Sequence, residues 1–418
     1  MSVALPSILN YGETHSALPD GMTAYTISLQ PVNGSVFAPG SVIILDFNNR
    51  GLIIPDSIYI RYKYSITSAV GSQFIGTPAY SSFVRLETLF GSVVSESINQ
   101  YNQTANMLVN LTQDTSSKYG LQNAYGYNDN TTTPTLAQLD GRTNALNETG
   151  TFSCMLPGLL SNAEKAWPAF AMPQVRVQLT MDSIANIFTT AVVPTAFTIS
   201  NFELVYQMLD VPADVENMIR SVGDRFYIKS QSFMNSSVTL ATGTTGSISL
   251  VYNSRLASVK SAFLNFSGTS ANSVNKWGDS YDVTSSNGDY QLQVGGVVYP
   301  QRSLSTLNNK TGILQELRRA VGSIYDKTNS LSINSVEFNR VGNDATSNSE
   351  PGKFWVGINL EKLHSHSLLT GISTANSAIT LQINTSTATA QTHTCNLILN
   401  YDALVEIDQA NRMVSVKQ

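Results

Sequence analysis

The sequence predicts an all-β chain made of two similar antiparallel sandwiches or barrels. Three observations carry this. Short runs rich in Val, Ile, Tyr and Thr alternate apolar with polar residues along the whole chain. Charged side chains are only 13% of the residues against 42% apolar, a polar-uncharged bias suited to strands, turns and broad protein contacts. Several features also recur in the same order in both halves. At roughly 100–200 residues per domain, 418 residues hold two to three domains with real cores.

In chain order, SVIILDF (41–47), DSIYIRYKYSI (56–66), QVRVQLTM (174–181) and FTISNFELVYQML (197–209) read as strands of the first half. GSISLVY (246–252), SAFLNFS (261–267), YQLQVGGVVY (290–299), SAITLQI (377–383) and TCNLILNY (394–401) do so in the second. Three segments read as helices. Residues 91–111 put Ile98, Tyr101, Ala105, Leu108 and Leu111 on one stripe, and 311–327 do the same with Ile313, Leu317, Val321 and Ile324. The third, 212–223, opens on Pro212 with Asp214 and Glu216 in its first turn, and is expected to connect two domains. Residues 113–150 are polar and turn-rich, so a surface loop is expected there, with a smaller one at 268–289.

The duplication is the most informative feature. Phe47-Asn48-Asn49-Arg50 and Tyr252-Asn253-Ser254-Arg255 each follow a strand. Val177-Gln178-Leu179 is matched by Leu381-Gln382-Ile383. Asn201, Leu204, Tyr206 and Leu209 are matched by Asn396, Leu399, Tyr401 and Leu404, and each half carries one helix in its middle third. The expected units are 1–211, a helical linker at 212–224, and 225–418.

Several function classes lack their signatures. There is no G-x-G-x-x-G, phosphate-binding loop, nucleophile elbow, H-E-x-x-H or C-x-x-C. No catalytic, cofactor-binding or metal residue is assigned, and no cofactor is expected. Residues 1–220 carry 9 basic against 16 acidic side chains, and 221–418 carry 15 against 13. Without a basic arm, sequence-specific nucleic-acid binding is not expected. No run is long and apolar enough for a spanning helix, and the first residues do not resemble a signal peptide. Cys154 and Cys395 are expected to be buried free thiols. The Asn-x-Ser/Thr triplets at Asn102 and Asn110 fall on a predicted helix and are not read as glycosylation sites.

The remaining candidates each have an ordinary reading. Asp279 and Asp282, with Asn287 and Asp289, offer calcium-type oxygens without the calcium-loop pattern. His364 and His366 alternate and lack a third ligand. Glu87 and Glu96 flank a predicted helix start, where capping is the expected role. Arg318 and Arg319, with Lys310 and Lys327, form the densest basic cluster, expected to be a solvated helix face. Trp167, Trp277 and Trp355 are expected packing anchors.

Five segments carry a resemblance: FSCMLPGLLSNAEKAWPAFAMPQVRVQLTM (152–181), RLETLFGSVVSESINQYNQTANML (85–108), VVYPQRSLSTLNNKTGILQELRRAVG (297–322), residues 353–383, and NLILNYDALVEIDQANRMVSVKQ (396–418). Together they resemble the double jelly-roll major capsid proteins of icosahedral DNA viruses. The resemblance covers most of 40–418. It implies two tandem eight-stranded antiparallel jelly rolls with a few short helices in loops. It also implies a homotrimer presenting six similar lobes, capsomer–capsomer contacts, penton or minor capsid proteins as partners, and a virion location without enzymatic activity, and leaves open whether genome contact falls to other proteins or to an internal membrane. The chain is short for this group, which leaves little room for tall surface towers. The competing readings are a two-domain carbohydrate-binding, adhesion or fibre protein, and a β-sandwich glycan hydrolase, which needs a paired carboxylate site.

Overall fold

The computed structural model describes residues 21–67, 71–126, 147–189, 192–268, 276–307, 310–322, 333, 335–339, 352–363, 369–389 and 391–418. The first half contributes β1 (Thr23–Leu29), β2 (Val36–Phe37), β3 (Val42–Asp46), β4 (Leu52–Ile53), β5 (Tyr59–Thr67), β6 (Phe83–Phe90), β7 (Val93–Asn99), β8 (Thr149–Met155), β9 (Trp167–Pro168), β10 (Val175–Met181) and β11 (Ala196–Asp210). The second contributes β12 (Arg225–Leu240), β13 (Gly246–Tyr252), β14 (Val259–Gly268), β15 (Gly288–Val294), β16 (Val297–Ser305), β17 (Trp355–Asn359), β18 (Ile379–Thr385), β19 (His393–Asp408) and β20 (Met413–Lys417).

The two halves have the same topology. In the first, one sheet runs β1-β11-β5-β8 and the facing sheet β3-β10-β6-β7. In the second, the sheets run β12-β19-β14-β17 and β13-β18-β15-β16. Counted in chain order within each half, the eight principal strands therefore lie 1-8-3-6 and 2-7-4-5 twice over. That is the jelly-roll arrangement, in which the last strand returns beside the first. The repeated sequence features occupy equivalent places. The Tyr206 and Tyr401 motifs lie on the eighth strands, the Val177 and Leu381 triplets on the seventh, and the Arg50 and Arg255 motifs at or just after the end of the second.

Each core forms where alternation turns every second residue inward. The first is aromatic, with Tyr64 stacked on Phe152 at 4.5 Å and Phe74 against Phe188 at 4.7 Å. The second gathers Phe266, Tyr290 and Phe354. A helix after the fifth strand covers each roll, Tyr101–Thr112 in one and Thr311–Val321 in the other. The second helix lies close on β17 because of Gly357. A Cβ there would sit 2.7 Å from Leu317 Cδ1 and 3.0 Å from Leu317 Cα.

Some local expectations fail. Residues 93–99 form a strand, not helix, because Gly91 (φ +63°) turns the chain back and β7 pairs with β6. Helix begins only at Tyr101, after Gln100 in the left-handed region. The run 290–299 is two strands joined through Gly295 and Gly296, both at positive φ. The expected loop at 113–150 holds helices at Thr115–Gly120 and Gln122–Tyr125, with Tyr125 buried. Residues 127–146 lie outside the described residues. The polar stretch 268–289 is no surface excursion where it is described, since residues 279–284 are all buried. Asn102 and Asn110 are buried on their helix, consistent with leaving them unglycosylated. Among the described residues no helix is long and apolar enough to cross a membrane.

Candidate functional site

The most developed polar site is the seam where β7 and the residues after β8 meet β12 of the second roll. Glu96, on β7, is 2% exposed. Its Oε2 accepts the Thr88 hydroxyl at 2.8 Å, and its Oε1 accepts the Leu159 N–H at 2.7 Å and the Ser232 hydroxyl. Alongside, the Ser230 hydroxyl donates to Leu159 O at 2.6 Å. The Glu164 N–H donates to Lys229 O at 3.0 Å, and Asn162 Nδ2 to Gln231 O at 3.2 Å. Lys229 Nζ lies 3.4 Å from Glu164 and 3.7 Å from Asp402. A second contact lies apart, where Trp277 Nε1 donates to Asn186 O at 2.8 Å. There Gly278 packs so close that a Cβ would meet Ile75 at 2.8 Å and the Gly76 backbone N at 3.1 Å. The helix Ala213–Ser221, none of whose residues is buried, lies between β11 and β12 in the chain.

Burial pushes the Glu96 carboxyl above its usual range, against the pull of its three hydrogen bonds. A raised carboxyl favours the protonated form in the folded state. Its contribution is therefore full below the ordinary value near ~4.3 and is lost as pH rises through the raised value. Glu96→Gln should accordingly melt at a temperature less sensitive to pH than the unsubstituted chain within that window, between the ordinary and the raised value, in thermal scans across pH. Equal slopes for both proteins would reject this role.

The residues singled out in the sequence do not assemble into a chemical site. Asp282 is fully buried and saturated by internal donors, including Lys310 Nζ at 2.8 Å. Asp279 accepts from the Tyr281 hydroxyl at 3.0 Å, while Asp289 faces Asn384 on an exposed strand pair. The calcium-type oxygens therefore diverge. Lys310 belongs to the core rather than to a basic cluster. Arg319 is exposed and pairs with Glu316 at 2.7 Å, Arg318 is exposed, and Lys327 lies outside the described residues. His364 and His366 also lie outside them. Glu87 pairs with Arg85 on β6, so neither Glu87 nor Glu96 caps a helix. Trp167 and Trp355 are buried, Trp167 donating to Leu160 O at 2.9 Å. Cys154 and Cys395 are buried and free, and burial pushes the Cys395 thiol up to about 12. Among the described residues no group of three or more His, Cys, Asp or Glu side chains is placed to hold a metal ion.

Sequence reasoning missed Ser232, Leu159 and the buried lysine pairs Lys260–Glu361 and Lys353–Glu337, at 3.4 and 3.5 Å. One signal was available: Lys260 stands in an otherwise uncharged strand, VKSAFLNFSG, every residue of which is buried.

No protein-family model matches the chain, and no curated protein matches it in sequence. Solved structures do match over nearly the full length. A PBCV-1 virus capsid structure superposes with a TM-score of 0.65 at 11% identity, covering 97% of this chain and 99% of that one. The Faustovirus major capsid protein gives 0.59 at 10% identity, covering 96% and 94%. The mavirus major capsid protein gives 0.52 at 10% identity, covering 100% and 95%.

Proposed function

We propose that this chain, which has the double jelly-roll fold of those viral major capsid proteins, is itself a major capsid protein. It assembles as a pseudo-hexameric homotrimer into an icosahedral shell, in the virion, and performs no catalysis. The observation that carries the reading is the pair of identically ordered rolls, 1-8-3-6 and 2-7-4-5, with full-length similarity to capsid subunits. The units are 1–211, a linker at 212–224, and 225–418. Three copies of two similar rolls present six similar lobes, a shape that tiles a shell face. Low charge suits this role, because like charges repeated around a shell repel. Penton or minor capsid proteins are the neighbours such a shell meets.

An obligate trimer buries more than about 2,000 Å² at its contacts. Its melting temperature should therefore rise with protein concentration, and salt should change it little because exposed ion pairs such as Arg61–Glu203 and Arg319–Glu316 each contribute little to stability. Light scattering with thermal scans at several concentrations tests this, and electron microscopy should show hexagonal arrays or closed shells. A monomer whose melting ignores concentration overturns the reading.

A further inference from the structure

We infer that the second roll carries an oxyanion site at Arg255, which takes a phosphate group borne either by a free anion or by a lipid headgroup. The site lies within one chain and does not depend on how copies assemble.

The two rolls treat the same corner differently. In each, the loop after the second strand meets the loop before the seventh, and the repeated motif places an arginine there, Arg50 in one and Arg255 in the other. In the first roll the corner is filled. Ala169, Phe170, Ala171 and Met172, just before β10, are all buried, and the Ala169 N–H donates to Gly51 O at 3.1 Å. Arg220 of the helix Ala213–Ser221 closes over them, its guanidinium 4.8 Å from the centre of the Phe170 ring and donating to Phe170 O at 3.3 Å. In the second roll the equivalent pairing is kept, with the Thr374 N–H donating to Leu256 O at 2.8 Å. The residues that follow are Ala375, Asn376, Ser377 and Ala378, none of them buried. Small side chains stand where the first roll has Phe and Met. A cavity of about 490 Å³ remains, inside the ~300–1,000 Å³ range of small-molecule sites.

The lining selects the charge of the occupant. Its polar members are Asn253, Ser254, Arg255, Thr374, Asn376 and Ser377, and no acid or aromatic ring stands among them. A cation finds no carboxylate there, and a sugar or base finds no ring to stack on. Arg255 is exposed and forms no ion pair among the described residues, whereas Arg61, Arg176, Arg220 and Arg225 each meet a carboxylate within 2.8 Å. Its guanidinium fork is therefore open to a ligand. Behind it, Ser254 and Thr374 are 3% and 1% exposed. Their hydroxyls lie 3.4 Å apart, and Thr374 Oγ1 accepts the Leu256 N–H at 3.1 Å, which fixes the floor. The amides of Asn253 and Asn376 and the Ser377 hydroxyl add neutral donors along the rest of the lining. A tetrahedral phosphate uses donors from several sides at once, whereas a planar carboxylate is satisfied by the guanidinium fork alone. A single arginine without a basic array around it does not hold a nucleic-acid backbone.

Titration calorimetry of the full-length protein with sodium phosphate, at an ionic strength fixed with sodium chloride, tests the site. A second arm measures cosedimentation with phosphatidylcholine vesicles, with and without phosphatidic acid. Saturable phosphate-dependent binding should appear in at least one arm, and the arm in which it appears identifies the source as the free anion or the headgroup. Arg255→Gln, at an exposed position, should weaken it by about tenfold or more, the loss of one charge-assisted contact. Arg50→Gln, at the filled corner, should leave it unchanged, with both variants folded by circular dichroism. Absence of binding in both arms overturns the site. So does binding that Arg255→Gln leaves intact, or that Arg50→Gln weakens equally.

Discussion

Replacing Lys310 by Met should destabilise the second roll by about 3–5 kcal/mol, the cost of leaving a buried charge without its partner. The partner is Asp282, with no exposed surface. Oδ1 of Asp282 accepts the Thr284 N–H at 3.0 Å, the Thr284 hydroxyl at 2.7 Å and the Tyr290 hydroxyl at 2.8 Å. Oδ2 accepts the Ser286 N–H at 3.0 Å and Lys310 Nζ at 2.8 Å. Lys310 also lies 4.7 Å from the centre of the Phe354 ring. Four neutral donors remain after the lysine is removed, but none supplies a positive charge. Adding Asp282→Asn removes the stranded charge while keeping an acceptor for Thr284 and Tyr290, so the double variant should recover much of the loss. Urea unfolding at fixed protein concentration measures both. A cost below about 1 kcal/mol for Lys310→Met would show that water or another cation reaches Asp282.

That ion pair also marks where the sequence stops being readable. The strands were legible because burial on one face writes a period of two into the letters, and QVRVQLTM and GSISLVY carry it plainly. The duplication was legible because each eighth strand repeats Asn, Leu and Tyr at fixed spacing. Asp282 looked like a loop acid because nothing in GDSYDVTSSNGD points to a lysine 28 positions on. Glu96 looked like a helix cap because SVVSESINQYNQ has helical spacing beyond it. Only pairing with β6, a non-local event, makes those residues a strand. The seam was illegible for the same reason. Ser232 and Leu159 are unremarkable letters until two separately folded sheets meet.

Acid should destabilise the second roll through His393. This residue sits on β19 between Leu240 of β12 and Gly268 of β14, is 1% exposed, and its Nδ1 has no hydrogen-bond partner among the described residues. Burial lowers its pKa to about 4, against an ordinary value near ~6.5. The unfolded chain therefore takes up a proton near pH ~6.5 that the folded chain refuses until about 4. The contribution of this histidine is fully present above the unfolded value and is lost as pH falls through that window, to a total of about 3 kcal/mol. Glu96 acts with the opposite sign, since its raised carboxyl is favoured by acid, so it cannot be the source of an acid loss. The carboxyls of the half-buried residues Glu406 and Asp408, held low by Lys417 and by Asn411 respectively, lose their contributions only as pH falls below the ordinary carboxylate range. Unfolding measured from pH 7 to pH 4 should therefore show a steep loss between 6.5 and 4, and His393→Asn should flatten it. If the substituted chain loses stability as steeply over that window, the acid sensitivity belongs to other groups and His393 is already solvated in the native protein.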